Sequence, residues 1–157
     1  MDLDRIYRLF PDEVSCLSLL EQLRWRGRPV CPRCGVAKSS PMPAEGRRHC
    51  NLCRYSFSVT VNTIFHKHKV ELQRWFWAIW LYADQPRNVT TRQLAELVGV
   101  HPNTAAIMLA RLRASLLEHD RLVQGIIATL ASDRNDTHAS HPLGSFLPLH
   151  GRIVHRS

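Results

Sequence analysis

The sequence lacks any apolar run long enough to cross a lipid bilayer. Its longest apolar stretches, such as residues 75–82, are far shorter than the roughly 20 residues that a membrane-spanning helix needs. The first ten residues alternate charged and apolar side chains, so we expect no signal peptide and a cytoplasmic location. Apolar residues make up 45% of the chain, which excludes a disordered tail. At 157 residues the chain holds one modest core or two small modules, which excludes a large enzyme fold.

Acidic residues are few, and the basic excess is concentrated in one region. The chain has 21 Lys and Arg against 13 Asp and Glu, a formal charge of +8 that favours a polyanionic partner. Within residues 31–70 the only acid is Glu45, and four thiolates with one Zn²⁺ would still leave about +4 there. The basic residues of this region are Arg33, Lys38, Arg47, Arg48, Arg54, Lys67 and Lys69.

Cysteine is scarce, but four of the five cysteines form two closely spaced pairs. Cys31 and Cys34 are separated by two residues, and so are Cys50 and Cys53. Thiols stay reduced in the cytoplasm, so such pairs predict a metal site, and this spacing is typical of one Zn²⁺ held by four thiolates. Four buried thiols or an iron–sulfur cluster are the alternatives.

Other residues near the quartet are weaker candidates for metal binding. His49, His66 and His68 are expected at the surface. Cys16 is expected on a helix, with its side chain in the protein core. Because four thiolates fill the zinc coordination shell, we predict a structural ion whose binding orders residues 30–65.

The patterns around the quartet predict one helix and one strand. Residues 11–25 begin with Pro and two acids and repeat Val14, Leu17, Leu20 and Leu23 at helical spacing. Residues 39–46 have the composition of a loop. Apolar side chains alternate with polar ones over residues 55–61, which predicts a half-buried strand.

Residues 70–118 predict three helices. An apolar stripe begins the first of them at about residue 72, and 85–88 end it. Thr90 and Gln93 have the spacing of a capping box before a helix over 91–98, Gly99 breaks that helix, and Pro102 begins a third helix running to about Glu118. The aromatic residues of the first helix are expected in the core rather than as a base-stacking platform, with Trp77 the most exposed of them.

Residues 91–110 fit the register of a helix-turn-helix motif. Small or apolar residues stand where the two helices must pack: Leu94, Ala95, Val98, Val100, Ala105 and Met108. In such a motif the second helix enters the major groove of DNA. The side chains predicted to face the groove are His101, Asn103, Thr104, Ala106, Ile107 and Arg111, with Arg113 beside them. Asn103 suits adenine, and Arg111 and Arg113 suit phosphate or guanine. A helical hairpin that serves only as scaffold or dimer surface is the alternative, and the neutral charge of residues 71–120 favours it.

Four segments together resemble the N-terminal portion of bacterial insertion-sequence transposases of the zinc-ribbon type. They are CPRCG at 31–35, RRHCNLCRYSFSVTVNTIF at 47–65, LQRWFWAIWL at 72–81 and QLAELVGVHPNTAAIMLARLRASL at 93–116. The resemblance covers roughly residues 10–118. It implies zinc at Cys31, Cys34, Cys50 and Cys53, and recognition of the terminal inverted repeats of the element.

The sequence departs from that family after residue 118. There the family continues into an RNase-H-like catalytic domain with an acidic triad, and residues 122–145 do not reproduce its first strand. Asp133 and Asp136 are interpreted as loop residues, and two-metal phosphoryl transfer needs more carboxylates than this region offers. We therefore expect a truncated or frameshifted chain, or a stand-alone DNA-binding protein, without strand-transfer activity.

The predicted fold class is α+β, with a short N-terminal helix, a small zinc ribbon and a three-helix domain. The predicted units are 1–29, the ribbon 30–66, the helix-turn-helix domain 67–119 and a weakly ordered tail 120–157. One zinc ion is the predicted cofactor and double-stranded DNA the predicted partner, with a second copy or a full-length transposase as further partners. A zinc-ribbon module for protein interaction or transcription regulation is the alternative function, and an active recombinase is the third reading.

The residues predicted to touch DNA lie on the ribbon, on the linker after it and on the third helix. They are Arg33, Arg47, Arg48, Arg54, Lys67, Lys69, His101, Asn103, Thr104, Ile107, Arg111 and Arg113.

Overall fold

The computed structural model of the chain describes residues 1–136, which form six α-helices and one three-stranded antiparallel sheet. In chain order the elements are α1 (Leu3–Leu9), α2 (Glu13–Trp25), β1 (Ser39–Met42), β2 (Arg47–Cys50), β3 (Ser56–Phe57), α3 (Leu72–Asp84), α4 (Thr91–Val98), α5 (Pro102–Leu117) and α6 (Arg121–Asp136). The predicted α+β class is confirmed. No helix in this part of the chain is long and apolar enough to cross a membrane.

The N-terminal segment forms two helices instead of the one predicted. Asp12 caps α2 by accepting the backbone N–H of Ser15 at 2.7 Å, and the Ser15 hydroxyl closes the capping box. The buried face of α2 carries Cys16 and Leu20, as expected for the cysteine. Val14, which the helical repeat placed in the core, is 70% exposed.

The small sheet differs from the prediction in two places: part of the predicted loop forms a strand, and the predicted strand is much shorter. Residues 39–42 pair with 47–50 as a hairpin, closed by a 3₁₀ turn at Pro43–Glu45 and by Gly46 at φ +59°. The strand predicted over 55–61 is limited to Ser56–Phe57. Beyond Phe57 the chain turns tightly, with the Val61 N–H donating to the Ser58 carbonyl at 3.3 Å, so Val59 is buried with the helices rather than in the sheet.

Helices α3, α4 and α5 follow the sequence prediction closely. The capping box of Thr90 and Gln93 is present, and Pro102 is the first residue of α5. Trp77 differs from its prediction: it is only 7% exposed, because its indole Nε1–H donates to the Leu97 carbonyl at 3.3 Å and docks α3 on α4.

Helix α6 overturns the predicted weakly ordered tail over residues 121–136. Four of its apolar residues, Leu122, Val123, Ile126 and Leu130, are buried against the other helices. Asp133, interpreted as a loop residue, lies on α6 and accepts from the Arg5 Nε–H at 2.7 Å. Asp136 is the last residue of α6, and residues 137–157 of the predicted tail lie outside the described residues.

The helices share one core, and the ribbon has a small one of its own. Side chains from α1 through α6, together with Val59 and Phe65, form a single buried cluster. The units predicted at 1–29 and 67–119 therefore pack as one body with α6. The ribbon core contains Cys31, Cys50 and Phe57, and Trp25 of α2 packs against it.

Candidate zinc centre and nucleic-acid interface

Two backbone turns of the same design present the four cysteines. In the first turn the Cys31 carbonyl accepts the Gly35 N–H at 2.9 Å, and the Cys31 N–H donates to the Val36 carbonyl at 3.0 Å. The second turn repeats the pattern from Cys50, with Arg54 and Tyr55 in place of Gly35 and Val36. Each turn thus aims both of its sulfur atoms to the same side, as a two-residue spacing predicts.

The second turn holds Arg54 in the left-handed region, at φ +63°, where the first turn has Gly35 at +73°. Glycine adopts this conformation without steric cost, whereas a side chain with a Cβ does so at a cost of about 1 kcal/mol. The Arg54 side chain is exposed.

The four sulfur atoms lie close enough together for one ion. All are within 4.8 Å of one another, with Cys31 Sγ 3.6 Å from Cys53 Sγ and Cys34 Sγ 3.5 Å from Cys50 Sγ. Tetrahedral coordination with Zn–S bonds of about 2.3 Å places sulfurs about 3.8 Å apart, so the quartet fits zinc and is too open for a disulfide. Within residues 1–136 this is the one group of three or more His, Cys, Asp or Glu side chains near enough to share a metal.

The backbone around the quartet favours thiolate at Cys50. The N–H groups of Cys53 and Leu52 point at its sulfur and lower the pKa of the Cys50 thiol to about 6. The pKa of the Cys34 thiol moves the other way, to about 12. The Val36 N–H lowers it, but desolvation and hydrogen bonds to the neighbouring thiols raise it by more. A bound Zn²⁺ would hold all four sulfurs as thiolates.

The basic residues predicted on the ribbon differ in how free their side chains are. Arg33 is exposed, with its guanidinium 5.9 Å from the centroid of the Tyr55 ring. Arg47 is exposed and donates to the Ser56 hydroxyl and carbonyl at 3.0 and 2.8 Å. Arg48 is half-buried and donates to the Ser39 hydroxyl at 3.0 Å.

The turn between α4 and α5 is short and is braced from α3. Gly99, at φ +72°, lies in the three-residue connection 99–101. The Arg74 Nη1 donates to the carbonyls of Val98 and Gly99 at 2.8 and 2.7 Å. The residues predicted to pack between the two helices are buried, except Val100, which is partly buried against the same core.

Most of the side chains predicted to face DNA are exposed on α5. Asn103, Ala106 and Arg113 are exposed, Ile107 is 57% exposed and Thr104 is half-buried. His101 is exposed but caps the helix, since its Nδ1 accepts the Asn103 N–H at 3.2 Å.

Arg111 has a role that the sequence analysis did not predict. Its Nη1 donates to the carbonyls of Ile64 and His66 at 2.8 and 3.0 Å, which ties α5 to the chain leaving the ribbon. The Arg24 Nη1 does the same from α2, donating to the carbonyls of Val59 and Val61 at 2.5 and 2.7 Å. No local sequence signal marks either arginine, because the carbonyls that they bind lie 35 to 47 residues away.

The linker after the ribbon runs beside α5. Exposed Lys67 and Lys69 line a cavity together with Thr104, Ile107 and Arg111. The structure thus brings together five of the predicted DNA-contacting residues from two separate segments.

Comparison with known proteins supports a zinc site at the two cysteine pairs. Residues 11–56 match the model of a family described as a transposase zinc-ribbon domain. An "uncharacterized protein in transposable element ISH50" of Halobacterium salinarum is 30% identical over 100 residues, which are 62% of this chain and 33% of that protein. The chain thus spans about a third of the length of that relative. No solved structure matches the chain.

The match covers both cysteine pairs, and the four sulfurs have the geometry of a single zinc site, so the predicted cofactor, one structural zinc ion, is confirmed. Residues 11–56 are thus similar to a transposase zinc-ribbon domain, and the resemblance of this chain to insertion-sequence transposases of the zinc-ribbon type is confirmed.

Proposed function

We propose that this chain is the DNA-binding portion of an insertion-sequence transposase and recognises the duplex at the ends of the element. The transposase zinc ribbon and the relative within a transposable element support the coarse assignment. The proposal assigns DNA binding alone to the chain, acting on the chromosome in the cytoplasm. Metal-dependent strand cleavage by the purified chain would contradict that restriction.

The observation that carries the proposal is the surface of α5. The helix follows a three-residue turn after α4, and its exposed face carries small or polar side chains, including Asn103, Ala106, Ala110 and Arg113. Small side chains allow close approach to the floor of the major groove. Ile107 is 57% exposed on the same helix, which does not help folding but suits contact with a thymine methyl group.

We assign different roles to the basic residues according to their freedom. Arg33, Arg47 and Arg54 are exposed on the ribbon and would contact phosphates. Asn103 would bond adenine, and Arg113 would contact guanine or phosphate. Arg111 is assigned to positioning α5 rather than to base reading, because its Nη1 holds two backbone carbonyls.

The proposal is tested by selecting DNA with the purified, zinc-loaded chain. A random duplex pool is retained on the protein with and without chelator, and the retained DNA is sequenced. We expect one enriched motif that disappears when zinc is removed, and binding that weakens as salt rises because counterions are released. No retention at low salt, or affinity independent of salt, would overturn the proposal.

Two variants separate base reading from phosphate contact. Asn103→Ala should relax the preference at one base pair, with a loss of about 1–3 kcal/mol on the selected duplex and little change on random DNA. Charge reversal at Arg33 and Arg47, both exposed on the ribbon, should weaken binding to every duplex.

A protein-interaction module is the second candidate, and an exposed apolar residue in the second cysteine turn favours it. Leu52, between the cysteines of the second pair, is 65% exposed on the ribbon. A partner that docks there would lose affinity on Leu52→Ser and would keep it on charge reversal at Arg33 and Arg47. DNA binding should show the opposite pattern.

A further inference from the structure

The linker and α5 enclose a basic cavity that the zinc centre and the exposed face of α5 do not account for. Its volume is about 200 Å³, several times the roughly 30 Å³ that one water occupies, so a phosphate group fits within it. One wall is the linker 67–70. The other consists of Thr104, Ile107, Met108 and Arg111, which lie on one side of α5, with Trp75 of α3 also contributing to the lining.

The charge of the lining has one sign. Lys67, Lys69 and Arg111 are cationic, and no carboxylate lines the cavity. Like charges brought together without an acid repel one another and are stabilised when an anion binds between them. Among residues 1–136 the Arg111 guanidinium keeps Nε and Nη2 as donors, since only its Nη1 holds the two carbonyls.

The backbone of the linker beside the cavity is held in an unusual conformation. Lys67 is held at φ +53°, a conformation that costs a residue with a Cβ about 1 kcal/mol and that recurs at ligand sites.

We propose that this cavity binds one phosphodiester group of the DNA backbone, next to the bases that α5 contacts. The inference rests on the proposed DNA-binding function and adds the place where the strand is anchored. Lys67, Lys69 and the Thr104 hydroxyl would hold the phosphate oxygens. The linker would thereby fix the register in which the exposed face of α5 meets the base pairs.

The first test compares two charge-matched double variants of the zinc-loaded full chain. Lys67→Gln with Lys69→Gln removes two charges from the cavity, and Arg8→Gln with Arg121→Gln removes two exposed charges from α1 and α6. We expect the cavity variant to bind selected and random duplexes about ten-fold more weakly, and its slope of log affinity against log salt to fall by about 1. The control variant should change both the affinity and the salt slope by much less.

A second variant keeps the charge of the cavity. Thr104→Val removes only the hydroxyl donor and should lower affinity by about five-fold, the loss of one hydrogen bond of about 1 kcal/mol. Equal affinity of this variant and the wild type would remove Thr104 from the site.

The contact is located on the DNA by replacing single phosphates with neutral methylphosphonate linkages. One position in each bound site should weaken the wild-type chain and leave the cavity variant unchanged, since two changes to one contact are not additive. The ¹⁵N-indole signal of Trp75, assigned through Trp75→Phe, should shift when duplex is added. A shift with inorganic phosphate at millimolar concentration, without any difference in DNA affinity between the double variants, would assign the cavity to free phosphate and overturn the inference.

The outcomes separate the two proposals. If the wild-type chain binds no duplex, the DNA-binding function fails and this inference fails with it. If the wild type binds and the two double variants behave alike, only the phosphate cavity is refuted.

Discussion

Arg54 holds a backbone conformation that Gly35 holds in the matching turn. Arg54→Gly should therefore leave the free energy of unfolding unchanged or raise it by up to about 1 kcal/mol. If the side chain contacts phosphate, the same change should lower DNA affinity and reduce the salt slope by about 1. Denaturant unfolding and binding titrations of the zinc-loaded chain measure both effects.

This combination distinguishes a functional arginine from a tolerated one. Gain of stability without loss of affinity would mean that Arg54 contacts no DNA. Loss of stability would mean that the left-handed conformation is not strained in this turn.

Arg111 and Arg113 lie on the same helix, but their substitution should affect stability differently. Arg111→Met removes two hydrogen bonds from a charged donor to backbone carbonyls and should destabilise the fold by about 1–3 kcal/mol. Arg113→Met, at an exposed position, should change stability by less than about 0.5 kcal/mol and should lower DNA affinity. Thermal melts and binding titrations of the two variants check this. An Arg111→Met chain as stable as the wild type would show that these two hydrogen bonds do not hold α5 in place.

The sequence predicts residues whose partners are close along the chain. The cysteine quartet follows from spacing alone, and so do the buried positions of α4 and α5, because helical periodicity fixes which side chains share a face. The bridges made by Arg24 and Arg111 could not be predicted, since an arginine that binds a distant carbonyl has the same sequence context as one that faces solvent.

At the scale of single elements, α6 is the main discrepancy, and Gly125 explains it. Glycine in a helix interior costs about 1 kcal/mol relative to alanine, so it weakens the helical signal of residues 121–136. In the folded chain a Cβ at Gly125 would lie 2.9 Å from Leu23 Cδ2, so the glycine allows α6 to approach α2 closely. Gly125 thus lowers the helix propensity of α6 but permits its contact with Leu23 of α2, which the sequence alone does not show.

Helix α6 should therefore contribute to stability as a core element. Ile126→Ala, at a fully buried position, should lower the free energy of unfolding by about 2–4 kcal/mol. Gln124→Ala, at an exposed position on the same helix, should be nearly neutral. Urea unfolding of the two variants gives the comparison. Equal stabilities would support the sequence-based prediction that residues 121–136 are weakly ordered.

The sheet shows why short strands are harder to predict than helices. Residues 39–42 contain Ser and Pro and read as a loop, yet they pair with 47–50 because the two cysteine turns bring the segments together. Alternation over 55–61 predicts a longer strand than Ser56–Phe57, because Val59 leaves the sheet to join the helical core.

For the whole molecule, removal of zinc should affect the two cores unequally. The ribbon buries few apolar residues and depends on the metal, whereas the helical core has contributions from all six helices. With chelator present, amide exchange should become fast for residues 31–57 and should stay slow in α3 and α5. Exchange monitored by mass spectrometry after addition and removal of zinc measures this. Uniform loss of protection would show that the helices also need the ion.

The bridges of Arg24 and Arg111 have a consequence for the spacing of any target. They fasten the segment 59–66 at both ends, so the ribbon and α5 cannot swing independently. If the ribbon and α5 both contact DNA, as proposed, the two contacts would lie a fixed number of base pairs apart. One inserted base pair would displace the second contact by about 3.4 Å and rotate it by about 35° around the duplex. A rigid chain would therefore reject a target in which both half-sites have the correct sequence but are separated by the wrong number of base pairs.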